Sequence, residues 1–106
     1  MEVIMHAQLK DRLPALRVFC ESHGIAELYA FGSVIDGRFR PGSSDIDLWI
    51  DLRPDPAVET ARRLLRIWLG LQDLLACKVD LVLKEGIRGE TFKKYLSIYQ
   101  VRIYPA

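Results

Sequence analysis

Apolar positions recur along this chain with two different periods, and the switches between them mark out its elements. Across residues 8–23, Leu9, Leu13, Leu16, Phe19 and Cys20 fall at helical spacing, and Gly24 supplies a C-terminal stop. Pro14 lies inside that pattern, which fits a helix whose first turn contains it, with Asp11 or Arg12 just outside. Ile25–Phe31 is a short apolar run bounded by Gly24 and Gly32, the pattern of a buried strand. Residues 32–44, rich in Gly, Ser, Arg and Pro, predict a helical turn followed by a loop.

The period then changes to two. In residues 45–51, Ile46, Leu48 and Ile50 face one way while Asp45, Asp47, Trp49 and Asp51 face the other. Pro54 and Pro56 close that strand. A long amphipathic helix follows over about residues 57–77, with Val58, Ala61, Leu65, Trp68, Leu69 and Leu75 assigned to its apolar stripe. Val79–Leu83 is a third strand-like run, Gly86 and Gly89 interrupt the chain, and a short helix is expected around residues 90–96. Residues 100–104 read equally as a last strand or as more of that helix. Strands alternating with helices predict an α/β architecture with a partly parallel sheet.

With 106 residues, half of them apolar, the pattern fits one domain over residues 1–106 that needs no disulfide or metal to fold. Cys20 and Cys77 stand far apart without metal-ligand spacing and are expected to be reduced core thiols. Fifteen Lys and Arg against fourteen Asp and Glu leave a charge of +1, so no global field favours a polyanion and direct nucleic-acid binding is not expected. The N-terminus lacks the basic flank and apolar run of a signal peptide, and no apolar run is long enough for a membrane span. A cytoplasmic location is the expectation.

Asp45-Ile46-Asp47 is the sharpest chemical feature. Period two puts both carboxylates on one face, where like charges resist full ionisation unless a cation lies between them. Mg²⁺, a hard ion that keeps sites for substrate phosphates, suits such a pair. By itself the pair also reads as the polar face of a half-buried strand. Asp80 changes that balance, because it interrupts a second apolar run where an unpaired charge is costly. Its alternatives are a turn cap or a partner for Lys78 or Lys84. Directly after the first strand comes Gly32-Ser33, where a glycine lets phosphate approach the backbone and a helix start offers free N–H groups. An ordinary Ser cap after a turn glycine would look the same.

Gly32-Ser33, a spacer, Asp45-Ile46-Asp47 and a later Asp80 together resemble the signature of the polymerase-beta-like nucleotidyltransferases. The stretch FGSVIDGRFRPGSSDIDLWID is similar to the minimal nucleotidyltransferase (MNT) family in particular, whose members are paired with HEPN-domain proteins as antitoxin and toxin. The resemblance implies the nucleotidyltransferase fold, a small mixed sheet flanked by helices. It assigns Gly32 and Ser33 to the triphosphate of ATP, Asp45 and Asp47 to two Mg²⁺ ions, and Asp80 to one metal and the attacking hydroxyl. The expected reaction is transfer of AMP to a hydroxyl, that of a tyrosine on the HEPN toxin, with release of pyrophosphate. The competing expectation is an antitoxin that neutralises its toxin by contact alone.

Two departures from the family pattern stand out. The spacer, residues 34–44, is slightly longer than usual, which places an insertion near Gly42-Ser43-Ser44. Where the family often has an Arg soon after the Gly-Ser, this chain has Val34, Ile35 and Asp36, leaving Arg38 or Arg40 to supply the cation; Arg40 is the assigned nucleotide ligand. Arg62, Arg63 and Arg66 on the long helix are expected to form a solvated face. Trp49 and Trp68 are expected in the core or an interface, and His6 and His23 in packing or surface roles.

Overall fold

A computed structural model describes residues 2–106. The elements run α1 (Ala7–Lys10), α2 (Leu13–Ser22), β1 (Ile25–Phe31), α3 (Ser33–Asp36), β2 (Ile46–Leu52), α4 (Thr60–Leu75), β3 (Val79–Leu83), α5 (Glu90–Ile98) and β4 (Gln100–Tyr104), with a 3₁₀ turn at Lys84–Gly86. The leading helical segment divides in two. Arg12 stands at the N-cap position of α2 without a side-chain capping bond, and Pro14 sits in its first turn, where a missing N–H costs nothing. The tail is a strand, which resolves that alternative.

The sheet order is β3-β2-β1-β4. β1 runs antiparallel to both β2 and β4, and β2 runs parallel to β3. The parallel pair needs a crossover, and α4 supplies it. The sheet is therefore mixed, with helices on both faces.

The larger core lies on one face. Leu28 and Ala30 of β1, Ile46, Leu48 and Ile50 of β2 and Ile103 of β4 pack there against Leu16 and Cys20 of α2 and Ile67, Leu71 and Leu75 of α4. Gly70 lets α4 approach α2, since a Cβ there would lie 2.6 Å from a ring carbon of Phe19. The opposite face carries a smaller cluster, Phe31, Trp49 and Leu96, with Tyr29, Val82, Ile87, Phe92 and Tyr95 around it. Trp49 therefore belongs to a covered face of β2.

The long helix starts at Thr60, because Pro54 and Pro56 delay it, and its inward stripe differs from the expected one. Leu65 and Leu69 are 56% and 51% exposed; Ile67 and Leu71 take their places in the core, with Leu64 and Trp68 packed beside them. The error is one of phase. Nearly every position from Leu64 to Leu71 is apolar, so periodicity alone leaves the angle of the stripe undetermined.

Candidate active site

Strand register brings Asp47 and Asp80 together. Asp47 is the parallel partner of Asp80 across β2 and β3, so both side chains project from the same face on strands about 4.8 Å apart. Asp47 is also the antiparallel partner of Phe31, the last residue of β1. Gly32 and Ser33 consequently begin beside Asp47, on the side away from Asp80. Asp45 precedes β2 and is exposed, as is Asp80, while Asp47 is half-buried.

Gly32 is shaped by Asp47. Its φ of +76° suits glycine, and a Cβ at this position would run into Oδ2 of Asp47 and come within 3.2 Å of its Cγ. The backbone of the Gly-Ser turn thus lies against the carboxylate with no side chain between them. Ser33 opens α3, whose first turn follows directly from that close approach.

Asp47 carries the electrostatic signature of the site. Burial pushes its carboxyl up to about 6, and the charges of Asp80 and Asp45 push in the same direction. Among the described residues no Lys or Arg forms an ion pair with Asp45, Asp47 or Asp80. Lys84, weighed as a partner for Asp80, instead approaches Glu27 at 3.7 Å and Asp51 at 3.8 Å.

A hard cation fits this donor set, because three carboxylates without a cationic partner present only oxygen ligands. The side chains do not by themselves close around an ion: among the described residues no three His, Cys, Asp or Glu converge as a ready metal cluster. Substrate phosphate oxygens are the natural remaining ligands for an ion held at such an open site.

The cations of the 32–44 segment separate. Arg38 bonds Asp36 through Nε at 2.9 Å and through its second guanidinium nitrogen. That pairing holds the Asp36 carboxyl below its usual range and sets a positive charge against the acid that follows the Gly-Ser turn. Arg38 also borders, with Gly32, Ile35, Tyr95 and Tyr99, a cavity of roughly 390 Å³. Arg40 is exposed on the loop, where its carbonyl accepts from the Ser43 and Ser44 amides and its amide donates to Ser44 Oγ. It is not among the residues around Gly32.

Trp68, expected as a packing aromatic, and Gln72 also take a positioning role. Trp68 Nε1 donates to the Val79 carbonyl at 2.8 Å, and the Val79 amide donates to Gln72 Oε1 at 3.1 Å. Two side chains of α4 thus fix the start of edge strand β3, one residue before Asp80. A helix Trp and a helix Gln four residues apart were the only signal. His6 likewise has a local task, its Nδ1 accepting from the Gln8 amide to cap α1.

A fold with acids on two adjacent strands facing a Gly-Ser turn defines a nucleotidyltransferase domain, and the corresponding family model matches residues 15–102. The chain belongs to the nucleotidyltransferase domain family. Among solved structures, a protein described as a minimal nucleotidyltransferase shares 26% identity, with 92% of this chain and 95% of that one covered at a TM-score of 0.72. A toxin–antitoxin structure with AMP-PNP matches at 16% identity and a TM-score of 0.68, covering 89% of this chain and 73% of that one. A chain from the complex of a tri-AMPylated Shewanella oneidensis HEPN toxin with its MNT antitoxin matches at 13% identity and a TM-score of 0.61, covering 92% and 72%. These last two likenesses speak to the fold. No curated protein matches the sequence. No helix among the described residues is long and apolar enough to cross a membrane.

Proposed function

We propose that this chain is the antitoxin of a HEPN/MNT pair and a Mg²⁺-dependent nucleotidyltransferase that moves AMP from ATP to a tyrosine hydroxyl of its HEPN-domain toxin. The observation that carries this reading is the register pairing of Asp47 with Asp80 beside the Gly32–Ser33 turn. The structural neighbours, an MNT antitoxin with an AMPylated HEPN toxin and a toxin–antitoxin structure with AMP-PNP, support the partner and the nucleotide. The tri-AMPylated state of one such toxin supports transfer of more than one AMP. The cytoplasm is the compartment this reading requires.

In this reading Asp45, Asp47 and Asp80 would hold two Mg²⁺ ions. Bound there, Mg²⁺ would neutralise charge that develops on the transferring phosphate. Gly32 and the Ser33 hydroxyl and amide bind the triphosphate end, on the β1 side of Asp47. Asp80, on the β3 side, faces the acceptor and takes its proton. The acceptor oxygen bonds to the α-phosphorus, the bond from that phosphorus to the bridging oxygen breaks, and pyrophosphate leaves toward Ser33. Arg40 is the assigned phosphate cation; its loop would have to bring it over Gly32. Arg38 already borders that turn and is the alternative once released from Asp36.

That engagement of Arg38 favours one second reading, neutralisation by contact alone. Cells expressing the toxin separate the two when they receive either wild-type chain or Asp47→Asn. Catalysis requires that the variant co-purify with toxin yet fail to protect. Protection equal to wild type would reject the enzymatic reading.

A further inference from the structure

A cavity of roughly 750 Å³ opens on the same face of the sheet as Asp47 and Asp80 and is lined in part by Trp49, Lys84, Ile87, Arg88, Lys93 and Leu96. Trp49 is two residues beyond Asp47 on β2 with its side chain on the same face, so the groove begins about 7 Å from the carboxylate along the strand. Its volume is in the range of small-ligand sites. Trp49, Ile87 and Leu96 make the floor apolar. The Trp49 ring is held rigid, stacked on Tyr29 at 4.3 Å and 5° and donating from Nε1 to Gln100 Oε1 at 2.8 Å.

The rim is basic. Lys84, Arg88 and Lys93 border the groove against the single acid Glu85. Lys84 lies near Glu27 and Asp51, whereas among the described residues neither Arg88 nor Lys93 pairs with a carboxylate. An apolar floor with unpaired cations above it matches a nucleotide, whose base prefers the floor and whose phosphate prefers the rim. The groove's lining does not include Gly32, Ser33 or Asp47, so its cations are additional to the residues proposed for the incoming triphosphate.

We infer that this groove is the subsite for a nucleotide already attached to the acceptor, and that it enables the second and later transfers. The inference rests on the proposed AMP transfer. In each later step a ribose hydroxyl of the attached AMP bonds to the α-phosphorus of a new ATP, its proton passes to Asp80, and pyrophosphate leaves. Arg88 and Lys93 hold the existing phosphodiester while its ribose reaches the carboxylates.

The test is the intact mass of toxin after incubation with ATP, Mg²⁺ and wild-type chain, the double variant Arg88→Glu/Lys93→Glu, or Lys94→Glu, a charge control on α5 outside the groove lining. Titration of the dinucleotide pApA, followed by intrinsic tryptophan fluorescence, gives a second readout that needs no toxin. The inference expects several additions with wild type and Lys94→Glu. With the double variant, the ratio of multiply to singly modified toxin falls at least tenfold and pApA binding weakens by a similar factor. An unchanged ratio overturns it. So does a proportional loss of the first and later additions, which would give the groove to the incoming nucleotide or the unmodified acceptor. No addition with wild type overturns the proposed function and this inference together, whereas an unchanged ratio leaves the proposed function standing.

Discussion

The missing side chain of Gly32 makes room for the carboxylate of Asp47. A Cβ at residue 32 would collide with Oδ2 of Asp47, and its φ of +76° is a conformation that L side chains rarely adopt. The turn proposed to hold phosphate and the acid proposed to hold metal therefore form one unit. Gly32→Ala is expected to cost about 1–3 kcal/mol in stability through backbone strain and displacement of Asp47. It should lower transfer by roughly a hundredfold, since small misplacements of reacting groups are costly. Urea unfolding and pyrophosphate release measure the two effects.

Asp47 should leave a signature in the pH dependence of stability. Its folded carboxyl sits at about 6, above the ordinary 3.8, so the folded state binds the proton more tightly than the unfolded state. Stability from this group is thus present below the ordinary value and is lost as pH rises through about 6. The loss is on the order of 1–2 kcal/mol once solvent screening at this half-buried position is allowed for. Without Mg²⁺, Asp47→Asn is expected to flatten this part of the curve and to be more stable than wild type above about pH 7. Denaturation midpoints of the two proteins across that range provide the check.

Mg²⁺ should reverse the sign of that effect. An ion bound by the folded carboxylates alone stabilises by mass action, so the melting temperature of wild type should rise with Mg²⁺ concentration. Asp45→Asn and Asp47→Asn are expected to lose most of the rise. Thermal melts with and without EDTA distinguish this outcome from a general salt effect.

Trp68→Phe should lower stability by about 1 kcal/mol, by removing the donor to the Val79 carbonyl while keeping most of the packing. Because that contact fixes the start of β3, the variant should also slow transfer, although residue 68 is on the face of the sheet opposite the acids. Chemical denaturation and steady-state rates test both consequences.

Much of the site was legible because short-range rules apply to it. Period-two alternation in residues 45–51 put Asp45 and Asp47 on one face, and the structure finds Ile46, Leu48 and Ile50 fully buried on the other. The pairing of Asp47 with Asp80 could only be conditional, since register between strands 33 residues apart in sequence depends on how α4 packs. For the same reason periodicity places Leu65 and Leu69 inward although they point out: an almost continuous apolar run fixes no stripe. The pairing of Asp36 with Arg38 depends on the local turn after α3, which residue spacing alone does not specify. Cys20 is buried as expected, while Cys77 is only half-buried.

Nucleotidyl transfer to the partner is proposed to depend on the paired acids Asp47 of β2 and Asp80 of β3. Its most direct test is the intact mass of the HEPN toxin after incubation with ATP, Mg²⁺ and either wild-type chain or Asp47→Asn. Toxin should gain whole AMP units with wild type and none with the variant, which should remain folded and bound to the toxin. An unmodified toxin with wild type, or equal modification by Asp47→Asn, would contradict it.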